Sequence, residues 1–194
     1  IEVDIERCIK VEVIMSFSKE VKEELSRHVP SGRHCCIAET AAIISLCGHV
    51  KISSQNRFSV KINTENIAVA RKYFTLLKKT FNIVAEITIR QNAYLKKGRT
   101  YTITVNNHEE ALKVLTTCKL LEHGDIVENM SINDNTVIMN SCCKRSFVRG
   151  AFIASGSIST PEKFYHFEIV CNSYDKAVQL SQLIKSFDIE SKIV

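Results

Sequence analysis

Between Arg57 and Asn63 apolar and polar residues alternate without a break. Phe58, Val60 and Ile62 fall on one side, and Arg57, Ser59, Lys61 and Asn63 on the other, the period of a half-buried strand. From Glu65 to Thr80 the period lengthens. Ile67, Ala70, Phe74, Leu77 and Phe81 recur at intervals of 3, 4, 3 and 4, the stripe of an amphipathic helix. Alternation returns over Ile83–Arg90 and Thr100–Val105. There Ile87 and Ile89 interleave with Glu86, Thr88 and Arg90, and Tyr101, Ile103 and Val105 with Thr100, Thr102 and Thr104. Two such runs flanking Gln91–Arg99 predict a hairpin. Three more helices are expected: one capped by Ser18 and running to Arg27 before Pro30-Ser-Gly32; one over His34–Cys47, stopped by Gly48; and one opened by Asn107, with Glu110 three residues on, reaching about Leu121. Short strands are expected at Val50–Ser53 and Thr136–Met139.

The pattern then restarts. Cys142–Ala154 reads as a helix, followed by strands at Ser157–Ser159 and Phe164–Val170. A helix over Ser173–Ser186 and a last strand, Glu190–Val194, complete the chain. Cys143 lies 107 residues after Cys36, Gly156 lies 108 after Gly48, and Phe187-Asp188-Ile189 repeats Phe81-Asn82-Ile83 at an offset of 106. A shared period in the same element order indicates duplication. The expected organisation is an upstream extension over 1–14, an N-terminal helix and linker over 15–33, a first unit over 34–135 and a second, incomplete unit over 136–194. Met15 reads as the natural start, and the missing end of the second unit reads as truncation, because a lone final strand leaves an open sheet edge. Ala38, Ala41, Ala42 and Ser45 in one unit-opening helix match Gly150, Ala151 and Ala154 in the other. Side chains that small let two helices approach closely, so the pair is expected to pack on a pseudo-two-fold axis.

Composition removes several alternatives. In 194 residues there are 6 Gly and 2 Pro, and no apolar run approaches a membrane span. The charged N-terminal stretch has no secretory core, which implies a cytoplasmic protein with reduced thiols. The net charge is +5; residues 1–14 carry −2, so residues 15–194 carry +7. On charge alone, a nucleic-acid partner and simple solubility stay open. None of the 8 Cys forms a C-x-x-C pair. The vicinal pairs Cys35-Cys36 and Cys142-Cys143 read as small buried hydrophobes, and no metal site is expected.

Val148-Arg149-Gly150-Ala151-Phe152-Ile153-Ala154-Ser155-Gly156-Ser157-Ile158 resembles the LAGLIDADG motif of homing endonucleases. Thr40-Ala41-Ala42-Ile43-Ile44-Ser45-Leu46-Cys47-Gly48 is a more eroded copy. More closely, the chain resembles the WhiA family of bacterial transcription regulators, which carry a degenerate domain of that kind. The residues are Met15-Ser-Phe-Ser-Lys-Glu-Val-Lys-Glu-Glu-Leu25, Cys35-Cys36, Cys142-Cys143-Lys-Arg-Ser-Phe-Val-Arg-Gly-Ala-Phe-Ile-Ala-Ser-Gly156 and Phe167-Glu-Ile-Val-Cys171. The resemblance implies an α+β fold of duplicated αββαββα units, two central helices on the pseudo-two-fold axis under a saddle of antiparallel sheets, with the second unit truncated. It also implies a C-terminal helix-turn-helix domain, absent from this chain.

In active LAGLIDADG enzymes the residue before the last motif glycine is a metal-binding carboxylate. Those positions here are Cys47 and Ser155, and the sixth motif positions are Ser45 and Ile153. The resemblance therefore implies a non-catalytic DNA-binding regulatory module, nucleoid-associated, in a cell division, chromosome segregation or sporulation context. It implies no cofactor and no metal at the motif ends. Arg57, Lys61 and Arg90 on polar strand faces, and Lys96, Lys97 and Arg99 on the hairpin loop beside Tyr94, are the candidate DNA contacts. Glu86 on the same face counts against them. A metal-dependent endonuclease or maturase, and a scaffold binding a protein or its own C-terminal domain, remain as alternatives.

Overall fold

A computed structural model of the chain describes residues 16–91, 98–127, 130, 135–162 and 166–194. Helix α1 spans Phe17–Arg27 and begins after Ser16, whose side chain makes no cap. The expected cap, Ser18, instead accepts the Ile158 amide through its hydroxyl at 3.3 Å. It serves a strand 140 residues away rather than its own helix. The first unit follows as α2 (Arg33–Cys47), β1 (Gly48–Ile52), β2 (Phe58–Thr64), α3 (Ile67–Phe81), β3 (Glu86–Gln91), β4 (Arg99–Val105) and α4 (His108–Thr117). A two-residue ladder joins β5 (Leu121–Glu122) to β6 (Asp125–Ile126). The second unit is α5 (Ser141–Ser155), β7 (Gly156–Ile158), β8 (Phe167–Ile169) and α6 (Tyr174–Lys185).

Local chemistry sets most of these boundaries. Asn66 Oδ1 accepts the Ala68 amide at 2.8 Å, Asn107 Oδ1 the Glu110 amide at 3.1 Å and Ser173 Oγ the Lys176 amide at 3.5 Å. Each satisfies an amide that has no partner within its helix. Helix α3 ends on Asn82 in the left-handed region (φ 59°), and Asp188, its counterpart after α6, has the same φ of 59°. The repeated Phe-Asn/Asp-Ile is thus a repeated helix exit.

The four-stranded sheet runs β1-β2-β4-β3, antiparallel throughout, and β7 pairs with β8 as a second small sheet. Val60, Ile62, Ile103 and Val105 on the inner side of the first sheet are buried with Tyr73, Leu76 and Leu77 of α3. Helix α2 is buried almost all round, from Cys35 to Ser45, because it lies between α3, the sheet and α5. Helices α2 and α5 pack directly on each other. A Cβ on Gly150 would lie 2.7 Å from the Glu39 carbonyl oxygen and 3.1 Å from the Ala42 Cβ, so glycine permits that approach.

The seam also holds a buried ion triad that the apolar pattern could not show. Glu39 of α2 is fully buried. It takes both Arg149 Nε and Nη2 of α5, at 2.9 and 3.0 Å, and Lys72 of α3 at 3.0 Å.

Two expected strands are absent. Thr136–Met139 lies in a 3-10 helix, Asn135–Ile138, which buries Val137 and Ile138 against the core without a neighbouring strand. Glu190–Val194 has no ladder and is exposed throughout. A strand needs a partner to take its backbone groups, and none lies beside it among the described residues. The cysteines also divide differently from the expectation. Cys35, Cys36, Cys118 and Cys143 are buried, but Cys142 is exposed.

Candidate nucleic-acid interface

The ladder registers assemble the open face of the first sheet. His49 stands opposite Lys61, Lys61 opposite Thr104, and Thr104 opposite Glu86. The next rows are Lys51 with Ser59, Asn63 with Thr102 and Thr88, and Thr100 with Arg90. One face therefore carries hydroxyls, an amide and the cations Lys51, Lys61 and Arg90. Thr102 Oγ1 donates to Asn63 Oδ1 at 2.9 Å, and Asn106 Nδ2 donates to Glu86 at 2.6 Å. The acid at the edge of the face is thus occupied by a neighbouring amide.

Arg57 is exposed in the turn before β2, where its amide bonds the Ser53 hydroxyl at 3.2 Å. Lys61 is half-buried at the middle of β2, and Arg90 is exposed near the end of β3. Arg99 is the first residue of β4, not a loop residue. It pairs with Gln91 and so falls on the side of Tyr101, opposite Arg90. Lys96 and Lys97 lie outside the described residues. His49 joins the face unannounced by the sequence, because strand β1 starts at Gly48, two residues before its expected start, and Lys51 joins it from within the expected strand.

The C-terminal ends of α2 and α5 lead directly into β1 and β7. Cys47 Sγ donates to the Ile43 carbonyl at 3.1 Å, and Ser155 Oγ donates to the Ala151 carbonyl at 3.4 Å. Both groups are turned back along their own helices. Although Cys47 is half-buried as a residue, burial of its sulfur pushes the thiol up to about 12. Helix α1 brings Lys22 beside it; the Lys22 Nζ lies 5.8 Å from the centre of the Phe152 ring, and burial lowers its pKa. Phe152 in turn stacks on Phe167 at 5.2 Å. Lys176 of α6 closes the same end of α2. Its buried ammonium donates to the Ser45 carbonyl and, at 2.8 Å, to Asn172 Oδ1.

A family model described as the WhiA N-terminal LAGLIDADG-like domain matches residues 33–121, and one described as the WhiA LAGLIDADG-like domain matches 144–194. The probable cell division protein WhiA of Lachnoclostridium phytofermentans is 48% identical over 180 residues, covering 93% of this chain and 58% of that protein. The chain belongs to the WhiA family. The WhiA of Thermoanaerobacter pseudethanolicus is 40% identical over 182 residues, covering 93% of this chain and 57% of the relative. The chain thus spans less than three fifths of the WhiA proteins it matches. The structure of full-length DUF199/WhiA from Thermatoga maritima superposes with a TM-score of 0.67 at 22% identity, over 93% of this chain and 54% of that one. The homing endonuclease-like fold extends to I-DmoI, solved in complex with DNA and Mn, with a TM-score of 0.57 at 12% identity over 84% of this chain and 83% of that one.

Proposed function

We propose that this chain is the non-catalytic, DNA-binding part of a bacterial transcription regulator, working with a C-terminal helix-turn-helix domain on the nucleoid. The observation that carries the reading is the chemistry at the C-terminal ends of α2 and α5. A two-metal cut of a phosphodiester needs hard carboxylate oxygens there. Cys47 supplies a protonated thiol, Ser155 a hydroxyl bonded to its own helix, and Lys22 a cationic side chain beside them, none of them a carboxylate. That donor set does not fit hard divalent cations. The open sheet face supports the binding half of the proposal, since Lys51, Arg57, Lys61 and Arg90 suit phosphates while Thr100, Thr102 and Asn63 suit base edges or backbone. The cell division name of the relatives supports a role there, or in chromosome segregation or sporulation.

The test is salt-dependent DNA binding by this chain. Non-specific dissociation constants on the order of 10⁻⁴–10⁻⁶ M at physiological salt are expected, with a log–log slope of about −0.9 per phosphate neutralised. Replacing Lys51, Arg57, Lys61 and Arg90 by Ala should weaken binding on every sequence alike and flatten the slope. The same loss should follow from Lys96 and Lys97 changed together. Parent-like binding by both variants at low salt would assign the face to a protein partner. Mg²⁺- or Mn²⁺-dependent plasmid cleavage, lost in Cys47→Ala or Ser155→Ala, would restore the nuclease reading.

A further inference from the structure

At the far end of the central helices, away from Cys47 and Ser155, four soft donors converge. His34 and Cys35 stand in the first turn of α2, and Cys142 and Cys143 in the first turn of α5. The His34 Nδ1 lies 3.1 Å from the Cys143 sulfur, 3.4 Å from that of Cys35 and 4.0 Å from that of Cys142. All four donor atoms lie within 4.8 Å of one another. The two helices have the same length, 15 residues, and start 108 residues apart. His34 is therefore the counterpart of Cys142, and Cys35 that of Cys143. The duplication that pairs the helices also pairs the two dipeptides. Cys36 takes no part; its thiol donates to the Pro30 carbonyl at 3.4 Å.

We propose that His34, Cys35, Cys142 and Cys143 form a closed tetrahedral site for a zinc-class divalent ion, clamping the start of α2 to the start of α5. Zinc held by thiolates at about 2.3 Å and imidazole at about 2.0–2.1 Å spaces its donors roughly 3.5–3.8 Å apart. The observed spacings bracket that value, so rotamer adjustments of these side chains suffice to close the cage. Three sulfurs and an imidazole select zinc over magnesium or calcium. One turn further along α5, the Ser146 hydroxyl accepts from Arg149 at 3.1 Å, and Arg149 is itself held by Glu39. Four protein ligands leave no open position, so the ion is structural. Cys142 at the exposed edge gives the ion its way in.

The experiment uses the whole chain purified under reducing conditions. Elemental analysis should find one zinc per chain. Cobalt(II) should replace it and give tetrahedral d–d bands with thiolate-to-cobalt charge transfer. Cys142→Ser, at an exposed position that leaves the core intact, should weaken zinc binding at least 10–100-fold in chelator competition, and His34→Ala should shift or abolish the cobalt bands. Cys36→Ser and Cys47→Ser should keep them. A chelator should lower the Tm of the parent and leave that of Cys142→Ser unchanged. Substoichiometric zinc with no cobalt bands from fully reduced protein would overturn the site. So would parent-like metal binding by Cys142→Ser, or a Cys35–Cys142 disulfide in protein alkylated at lysis, which would make the cluster a redox pair.

Discussion

Gly48 reads in the sequence as a helix stop and Gly156 as its repeat counterpart, but the structure gives a different reason for both. Both have ordinary negative φ. What they lack is room, because each helix passes straight into a strand. A Cβ on Gly48 would meet the Ile44 carbonyl and stand 2.9 Å from the Ile44 Cα, and one on Gly156 would stand 2.8 Å from the Phe152 oxygen. Backbone of the preceding turn cannot yield as a side-chain tip does. Gly48→Ala and Gly156→Ala should each lower stability by about 1–3 kcal/mol in urea unfolding, whereas Gly124→Ala should be judged by its φ of 94° alone, since nothing lies near it. Next to Gly48, the Cys47 thiol turns back to the Ile43 carbonyl and is held protonated up to about 12. In the unfolded chain it ionises near 8.5. Above that pH the unfolded state binds fewer protons, so folding stability is full below about 8.5 and falls as pH rises toward the folded value. Cys47→Ala removes this contribution together with its coupling to the neighbouring Lys22, while Lys72 and Lys176 remain in both proteins. The stability difference between parent and variant should fall by up to about 1.4 kcal/mol per pH unit between pH 9 and 10. A flat difference would show that the thiol is free to ionise in the fold.

Elements were legible where a period or a cap fixed them. The alternation through β2 and β4, the helical period of α3 and the Asn107 cap all lie in the chain itself, and the structure agrees, although the buried face of α3 runs through Val69, Tyr73 and Leu76 and leaves Ile67 exposed. Where tertiary partners decide, the pattern failed. Thr136–Met139 carries a strand-like apolar core but meets α2 and α5 instead of a strand, and it winds into a 3-10 helix. Ile87 and Ile89 have the inward phase of a strand, yet they are 50% and 59% exposed, because β3 is the sheet edge and no described helix covers its back. The buried charges were invisible for a related reason. Glu39 and Arg149 sit 110 residues apart, and only the packing of α2 on α5 makes them partners. Arg149→Ala leaves the Glu39 carboxylate with Lys72 alone and should cost about 3–5 kcal/mol. Replacing Glu39, Arg149 and Lys72 together by apolar residues of similar size should cost far less, or stabilise. Equal losses in the single and triple variants, measured by urea unfolding, would mean that the triad contributes through packing rather than charge.

For the whole molecule, the period of about 107 residues carried most of the fold, and its small error is instructive. Matching Cys143 to Cys36 gave 107, whereas the helices themselves align at 108 and match Cys143 to Cys35. A one-residue shift rotates a helix by about 100°, enough to hide the convergence of His34 with three cysteines. The polar sheet face proposed to meet DNA was half legible, since strand parity found Lys61 and Arg90 but not the early start of β1. The duplicated architecture also has a thermodynamic consequence. The two units share one continuous core. Ala38, Ala41 and Ala42 of the first unit are fully buried against α5; Glu39 needs Arg149; and Lys176 of the second unit satisfies Ser45 of the first. Separating the units would expose an apolar seam and strand a buried carboxylate together. The chain should therefore unfold in one two-state step, with calorimetric and van't Hoff enthalpies equal. Amides of β2, β4 and α5 should exchange hydrogen at the same global free energy. Two resolved transitions, or protection in β2 and β4 that outlasts that of α5, would show instead that the first unit stands alone and the second docks on it.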